Sequence, residues 1–207
     1  AMLKSDFDKG IEFLKKDKYI GNLIKQMETP HFSNEQGYFK SLIKLIIYQQ
    51  LSIKSARKIY GRLIDLFQSR EINPNNFKSF SMVQLQEIGI SKPKIHYMNE
   101  IADTFIKNDS FLDNIDKVSN EKIINNLVQI KGIGPWTAEM FLMFTLQRLD
   151  VFSIKDLGIK KGIQKLFKLD CIPTDEFMIE KSKKWSPYRT IACLYLWKLI
   201  DGNNFDW

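Results

Sequence analysis

The stretch from 127 to 139 constrains the fold most strongly, because it predicts two helices joined by a very tight bend. An apolar helix end leads into Gly132 and Gly134, and apolar residues at helical spacing resume directly after Pro135. Glycine permits positive φ angles and allows another group to approach where a Cβ atom would collide. Proline suits the first helical turn, where its missing N–H would go unpaired anyway. We therefore expect two helices to meet across this bend.

The start of the second helix is a candidate anion site. The backbone N–H groups of Gly134, Trp136 and Thr137 would point outward from a helix N-terminus, which carries partial positive charge. A Gly-x-Gly pattern before a helix is also typical of an ordinary helix end followed by a turn. The pattern alone does not separate these two interpretations.

The longer string from Ile130 to Ala138 resembles the hairpin of the helix-hairpin-helix DNA glycosylases. The family pattern is an apolar residue, any residue, Gly, an apolar residue, Gly, any residue, Lys or Trp, and then Thr and Ala. The resemblance implies that the protein grips one DNA strand through its phosphates, with contacts that position the protein without reading the base sequence. The hairpin residues implied in DNA binding are Lys131, Gly132, Gly134 and Thr137.

Composition favours a nucleic acid as partner and argues against several other classes of protein. A formal net charge of +7 and a pI near 9.2 favour a polyanion. No apolar run approaches the roughly 18 residues of a membrane span, and the first residues do not resemble a signal peptide. We therefore expect a cytoplasmic protein, associated with the nucleoid if it is bacterial, that does not contact membranes.

Cysteine and histidine are too scarce for the common metal and disulfide chemistries. Cys171 and Cys193 are too few for a disulfide framework or a four-cysteine cluster. His31 and His96 are isolated in sequence from each other and from any cysteine, so a catalytic zinc site has no ligand set. We expect carboxylates, aromatic side chains and the backbone to carry the chemistry.

Helical periodicity runs along the chain, and strand signals are nearly absent. Between Phe39 and Ile47, for example, apolar residues fall at i, i+3, i+4, i+7 and i+8, which predicts a buried helix. Ser52 and Ser119 are typical N-caps directly before further periodic segments. Roughly ten such segments without a sheet predict an all-α protein.

The resemblance covers the chain from about 32 to 197 and implies two helical subdomains with a cleft between them. Residues 37–130 would form a central helical bundle that leads into the hairpin. Residues 1–36 and 131–207 would form the other subdomain, which carries the catalytic aspartate.

Asp156 is the candidate catalytic residue. The resemblance implies an aspartate at about this distance downstream of the hairpin, facing the scissile nucleotide. As the base departs, the deoxyribose becomes oxocarbenium-like, so a nearby negative charge stabilises the transition state. The same carboxylate can orient or deprotonate the attacking water.

Two other interpretations bear on this assignment. An aspartate at a predicted helix start is often an ordinary N-cap, although both roles are compatible because a helix N-terminus favours an ionised carboxylate. Asp150 is the rival acid. It ranks second because the segment from Asp150 to Leu157 resembles a family segment whose last aspartate is catalytic.

Trp136 indicates the reaction subtype. Family members that also nick the strand have a lysine at this position, whose amine attacks the sugar carbon and forms a Schiff base. An indole cannot do this, so the resemblance implies a monofunctional enzyme that uses water and leaves an abasic site. Lys131 and Lys155 lie nearby in sequence but outside the nucleophile position, and we interpret them as phosphate contacts or solvated charges.

Aromatic side chains are the candidates for recognising the damaged base. Trp136, Trp185 and Tyr188 match positions near the base-binding cleft in the 3-methyladenine DNA glycosylase II branch. Electron-rich ring faces attract a base made cationic by alkylation, although such aromatics, and Trp185 in particular, are equally typical of a core. Met140 completes the predicted pocket, and it stands where a bacterial member of the branch has a tyrosine, which leaves the substrate range open.

A turn between two predicted helices supplies the candidate wedge, the group that fills the gap left by a flipped base. The wedge candidates are Gln49, Gln50 and Leu51, of which Gln50 aligns best with the family. A polar helix end is the alternative interpretation.

In this family the hairpin often holds a monovalent cation through backbone carbonyls. The resemblance assigns these carbonyls to Val128, Ile130 and Ile133, with Na⁺ or K⁺ as the ion. We expect no other cofactor.

These features together predict a monofunctional DNA glycosylase that acts as a monomer. It would flip alkylated purines of the 3-methyladenine type out of damaged duplex DNA and hydrolyse their N-glycosidic bonds, initiating base excision repair. Two alternatives remain open: the same scaffold acting on deaminated or mismatched bases, and a non-enzymatic helix-hairpin-helix module that binds damaged DNA.

Overall fold

A computed structural model describes residues 4–30, 37–108 and 112–202, which form helices and turns without a strand. This confirms the predicted all-α class. The prediction about His31 falls outside the described residues. The described α-helices are α1 (Lys4–Leu14), α2 (Ile20–Gln26), α3 (Tyr38–Tyr48), α4 (Ile53–Phe67), α5 (Pro74–Lys78), α6 (Met82–Glu87), α7 (Lys92–Lys107), α8 (Asn120–Leu127), α9 (Pro135–Phe144), α10 (Leu157–Phe167), α11 (Asp175–Ser182) and α12 (Arg189–Asp201). Across these ranges, no helix is both long and apolar enough to cross a bilayer.

Side-chain caps define where several helices begin. Ser52, Ser81 and Ser119 each accept the N–H of the residue three positions later, which satisfies a donor that the helix itself leaves unpaired. At α6 the side chain of Gln84 also accepts the N–H of Ser81, completing a capping box. The predicted caps Ser52 and Ser119 are confirmed.

One compact unit, the central unit, comprises residues 35–141. Its core is built on α3, which packs against α4 and α7. Leu42, Ile43 and Ile46 of this helix are fully buried, as the apolar periodicity predicts. The ring of Phe39 meets Phe77 and Phe105 edge-on, which joins α3 to α5 and α7.

The other compact unit, the terminal unit, comprises residues 1–34 and 142–207. Its centre is α12, which packs against α1, α2 and α10 and is buried on nearly all sides. The contact with α10 is close, because a Cβ at Gly162 would lie 2.9 Å from the Cβ of Leu196. Helix α12 therefore forms the scaffold on which α1, α2 and α10 are placed.

The boundary between the units lies after Phe141, whereas the family resemblance implies a boundary after Ile130. The difference has a physical reason in the first turns of α9. The ring of Phe141 meets Tyr38 at a centroid distance of 5.9 Å, and Thr137 is hydrogen-bonded to Gln49, so these turns pack within the central unit. The bend of residues 130–134 consequently belongs to the central unit.

Candidate functional site

The two glycines of the hairpin have different roles. Gly132 has a φ of +94°, and a Cβ there would lie 2.2 Å from the ring Cγ of Tyr97 on α7, so both its conformation and its surroundings require glycine. A Cβ at Gly134 would meet no described atom within 4 Å. Gly134 therefore leaves open space at the start of α9, as the anion-site prediction requires. Gly132 instead makes room for Tyr97, which no motif in the sequence marks.

Gln49 joins the end of α3 to the hairpin. Its Nε2 donates hydrogen bonds of 2.9 Å to the carbonyl oxygen of Gly132 and 2.9 Å to the hydroxyl of Thr137. Thr137 itself is 1% exposed. The side chains of Gln49 and Thr137, both predicted to contact DNA, are thus hydrogen-bonded to each other. This bond and the bond from Gln49 to Gly132 attach the wedge turn to the hairpin.

The two residues after Gln49 form the tip of this turn. Gln50 is exposed and has a left-handed φ of 56°, and Leu51 remains 40% exposed despite its apolar side chain. A cavity of about 240 Å³ opens beside them and is lined also by Ile59 and the turn 89–91. This placement leaves Gln50 and Leu51 available as the wedge.

Lys94 of α7 fixes the end of α3, which leads into the same turn. Its ammonium donates hydrogen bonds of 2.8 Å to the carbonyl oxygens of Ile47 and Gln49, at the negative end of α3. Burial lowers the pKa of Lys94. The chain that leads from Ile47 to Gln49 is therefore held from two sides, by Lys94 and by the hairpin, and Gln50 and Leu51 follow directly after it.

Replacing Gln49 with alanine should destabilise the central unit, because it removes two hydrogen bonds and leaves their acceptors partly buried. We expect a loss of about 1–2 kcal/mol and a fall in Tm of about 4 °C, measured by thermal unfolding. Gln50→Ala is the matched control. Its side chain is exposed, so the Tm should stay within about 2 °C of wild type. Equal Tm values for the two variants would contradict the bridging role of Gln49.

The four residues predicted for the base pocket lie in different environments. Trp136 is half-buried in the first turn of α9, whereas Met140, one turn later, is 0% exposed. Trp185 is also 0% exposed and packs edge-on against Phe152 at 6.0 Å. Full burial favours core packing of Met140 and Trp185 over contact with a flipped base.

Tyr188, the fourth of these residues, packs against α1. Its ring lies 5.3 Å from that of Phe13, and a Cβ at Gly10 would collide with it at 2.7 Å. The side chain is still partly exposed. Trp136 and Tyr188 are therefore the two predicted pocket aromatics that keep surface available for a ligand.

Asp156 caps α10 and is held by two N–H groups from different helices. Its Oδ1 accepts from the backbone of Ile159 at 2.7 Å and from the indole Nε1 of Trp197 on α12 at 2.8 Å. The side chain is partly exposed. The N-cap interpretation is thus confirmed, and the same contacts give the carboxylate a fixed orientation at the surface of the terminal unit.

Asp150, the rival acid, is bound by a cation. The guanidinium of Arg189 donates from Nε at 2.6 Å and from Nη2 at 3.0 Å, and the hydroxyl of Ser186 donates at 2.8 Å. Burial acts to raise the pKa of Asp150, but the hydrogen bonds from Arg189 and Ser186 outweigh it, and the pKa lies below its ordinary value. A carboxylate neutralised in this way is suited to holding structure, which favours Asp156 as the reactive acid.

The connector between α9 and α10 is attached to the first turn of α12. Thr190 donates its hydroxyl to the carbonyl oxygen of Arg148 at 2.6 Å and accepts the N–H of Val151 at 3.0 Å. Together with the Asp150–Arg189 pair, these bonds fix the chain just before Asp156. Neither Arg189 nor Thr190 stood out in the sequence.

Lys155 belongs to an ion-pair cluster. Its ammonium pairs with Asp175 at the start of α11, and Lys160 pairs with the same carboxylate at 3.1 Å. The hydrogen bond that Lys155 donates to Asp175 raises the pKa of Lys155. The structure therefore gives Lys155 a partner other than a phosphate, whereas Lys131 is exposed on the hairpin.

The described residues contain no group of three or more His, Cys, Asp or Glu side chains that could hold a metal ion. The carbonyls predicted to hold a monovalent cation are backbone groups. Of these, the oxygen of Ile130 accepts the N–H of Ile133 at 3.0 Å, which closes the turn and leaves its second lone pair for another partner.

Comparison with known proteins agrees with this geometry. Residues 43–187 match the family described as HhH-GPD superfamily base excision DNA repair protein. DNA-3-methyladenine glycosylase 1 of Schizosaccharomyces pombe is 35% identical over 184 residues, covering 87% of this chain and 78% of that protein. The DNA-3-methyladenine glycosylase of Saccharomyces cerevisiae is 29% identical, covering 92% and 78%.

A solved structure of the S. pombe 3-methyladenine DNA glycosylase in complex with abasic DNA has a TM-score of 0.86 and 31% sequence identity. The match covers 96% of this chain and 100% of that one. The matched family segment includes both the hairpin and Asp156, so the family resemblance inferred from the hairpin string is confirmed.

Proposed function

The chain belongs to the HhH-GPD superfamily of base excision DNA repair proteins, and we propose that it is a DNA glycosylase that releases alkylated purines of the 3-methyladenine type from duplex DNA. It hydrolyses the N-glycosidic bond of the damaged nucleotide, which is the first step of base excision repair. The observation that carries the mechanism is the placement of Asp156, a partly exposed carboxylate at a helix N-terminus that accepts hydrogen bonds from the backbone of Ile159 and the indole of Trp197.

The proposed reaction needs one carboxylate and a water molecule. The damaged base is flipped out of the duplex, and the C1′–N bond breaks with its electron pair leaving on the base. The sugar acquires oxocarbenium character, which the negative charge of Asp156 stabilises. Water then adds to C1′ and gives its proton to Asp156 or to solvent, so the products are a free base and an abasic site.

An alkylated purine is the substrate that suits this machinery best. A cationic base is a better leaving group than a neutral one, so a single acid without a second catalytic side chain is sufficient. An aromatic π face attracts a cationic base, and the half-buried indole of Trp136 offers such a face. The partly exposed ring of Tyr188 is the second candidate.

DNA binding is assigned to the central unit. Exposed Lys131 and the open backbone at Gly134 offer a cation and N–H donors to phosphates, while Gln50 and Leu51 fill the gap left by the flipped base. Backbone carbonyls at Val128, Ile130 and Ile133 would hold a Na⁺ or K⁺ ion that rigidifies the hairpin. The substrate of the protein is damaged double-stranded DNA, so we place the protein in the cytoplasm or at the nucleoid. We propose that it acts as a monomer.

We expect no covalent protein–DNA intermediate. The position at which strand-nicking relatives have a lysine holds Trp136, whose indole cannot form a Schiff base. Borohydride added during excision should therefore trap no adduct on a denaturing gel, and the abasic product should stay uncut until it is treated with alkali. A trapped adduct would show that a lysine such as Lys131 reaches the sugar.

A panel of lesion duplexes tests the function directly. Wild-type protein should release 3-methyladenine or 7-methylguanine and leave 8-oxoguanine in place, as measured by base release under single-turnover conditions. Excision of only hypoxanthine or uracil would overturn the substrate class while keeping the enzyme class. Tight binding of every duplex without release of any base would instead support a non-enzymatic DNA-binding module.

A further inference from the structure

We propose that Trp197 and Gly158 form a positioning device for the reactive carboxylate, in which a neutral indole N–H orients Asp156 without reducing its charge. This inference rests on the proposed function, since it assumes that Asp156 stabilises a positive sugar. Trp197 is a positioning residue and acts through Asp156.

Two donors converge on one oxygen of the carboxylate. The Ile159 N–H lies 2.7 Å and the Trp197 Nε1 lies 2.8 Å from Oδ1, and they come from different helices, α10 and α12. A single N-cap bond leaves a short side chain able to rotate about its last torsion. A second donor fixed on the core helix removes that freedom, because Trp197 is itself 5% exposed and packs against the ring of Phe144 at 5.8 Å.

The bond depends on a missing side chain at 158. A Cβ at Gly158 would lie 2.7 Å from Cδ1 and 2.9 Å from Nε1 of Trp197, and 3.1 Å from Oδ1 of Asp156. Glycine inside a helix is unfavourable relative to alanine. Its presence in the first turn of α10 is explained here by the indole that lies against it.

The comparison with Asp150 shows why the charge of the donor matters. Asp150 receives a bidentate guanidinium, which orients it and neutralises it at the same time. An indole N–H is a donor without net charge, so it orients a carboxylate and leaves the negative charge for the sugar. Asp150 thus receives a charged donor from α12, whereas Asp156 receives an uncharged one from the same helix.

Other charges near Asp156 are consistent with this interpretation. Asp201 on α12 has its pKa raised by burial and by the charge of Asp156, and Lys161 on α10 acts in the opposite direction. The neighbouring Lys155 and Lys160 pair with Asp175. The Ile159 N–H and the Trp197 Nε1–H that Asp156 accepts are neutral donors.

Trp197→Phe tests the proposal, because it keeps an aromatic ring in the core and removes the N–H. The single-turnover rate of 7-methylguanine release should fall about 10- to 100-fold, as for the loss of a hydrogen bond to a charged group. The affinity for an abasic-site duplex should change less than about 2-fold. Tyr195→Phe is the control, since it alters a buried aromatic on the same helix and should leave both quantities within about 2-fold of wild type.

Gly158→Ala gives an independent test without touching the indole. The added Cβ should displace Trp197 and lower the excision rate as Trp197→Phe does, even though alanine favours the helix. A wild-type rate in Gly158→Ala would contradict the proposal.

Indole ¹H–¹⁵N spectra provide a readout that does not depend on activity. The chain has four tryptophans, and the signal of Trp197 is identified by its loss in Trp197→Phe. That signal should shift in Asp156→Ala, which removes the acceptor oxygen. An unmoved signal in Asp156→Ala would show that no such hydrogen bond exists in solution.

The outcomes separate this inference from the proposed function. If wild-type protein releases no base from any lesion duplex, the proposed function fails. If wild type is active and Trp197→Phe matches it, or loses rate and DNA affinity equally, the positioning role fails and the glycosylase assignment stands.

Discussion

Asp156→Asn should lower the single-turnover excision rate by about 100- to 1,000-fold without unfolding the protein. The loss is large because the negative charge facing the oxocarbenium-like sugar disappears, and transition-state electrostatics of this kind are worth two to three orders of magnitude. The fold should survive because asparagine is as good an N-cap as aspartate. Its Oδ1 can still accept the N–H groups of Ile159 and Trp197.

Three measurements make this result interpretable. Base release from a 7-methylguanine duplex gives the rate, a titration with an abasic-site duplex gives the affinity, and thermal unfolding gives the stability. Only the rate should change, which is the pattern of an interaction made in the transition state alone. An Asn variant that releases base at the wild-type rate would remove Asp156 from the mechanism.

The sequence singles out Asp156 as the candidate acid through its predicted N-cap position and through the family resemblance of the segment from Asp150 to Leu157. An N-cap preference and a position downstream of the hairpin string can both be read from a few neighbouring residues. The same is true of the buried face of α3 and of the bend at Gly132, where a positive φ admits little other than glycine.

The partners of these residues could not be inferred in the same way. Trp197 and Arg189 lie on α12, about 40 residues along the chain from the aspartates that they contact. That helix is buried on nearly all sides, so its apolar pattern does not distinguish a tryptophan that packs from one that also donates a hydrogen bond. Only the packing of α12 against α10 and the connector shows the difference.

Two adjacent glutamines also differ in their contacts, and the sequence does not distinguish them. Gln49 and Gln50 are identical residues in the same turn, and the sequence gives both the same candidate role. In the structure one amide bonds to the hairpin and the other is exposed, because Gln50 adopts a left-handed conformation that turns it outward. Likewise, Trp185 and Trp136 are both tryptophans that the resemblance places in the base pocket. Tertiary packing buries Trp185 fully and Trp136 only partly.

Asp150→Asn should have the opposite profile to Asp156→Asn. We expect a large loss of stability and a smaller loss of the single-turnover excision rate. Removing the charge leaves the guanidinium of Arg189 partly buried without its counter-ion and loosens the attachment of the connector to α12. Both side chains are about one-third exposed, so solvent screening keeps the cost below that of a fully buried pair. We expect a loss of about 2–3 kcal/mol and a fall in Tm of about 5–10 °C at neutral pH.

The difference in Tm between wild type and Asp150→Asn should depend on pH, because the pKa of Asp150 is lowered. Burial acts to raise this pKa, but the hydrogen bonds from Arg189 and Ser186 outweigh burial. A carboxyl whose pKa is lower in the folded state stabilises the fold fully above its ordinary pKa, about 4, and loses that contribution as the pH falls through the folded value. The gap in Tm between wild type and Asp150→Asn should therefore be constant from pH 7 to about 5. It should narrow below about pH 4.

The comparison of two proteins isolates this one group, because the exposed acids Asp175 and Glu180, whose pKa values are also lowered by lysine partners, titrate equally in both. Thermal scans of both proteins at pH 7, 5 and 3.5 give the gap directly. A gap that stays constant down to pH 3.5 would mean that the ion pair does not form in solution. The connector leading to Asp156 would then be fixed mainly by the Thr190 bonds to Arg148 and Val151.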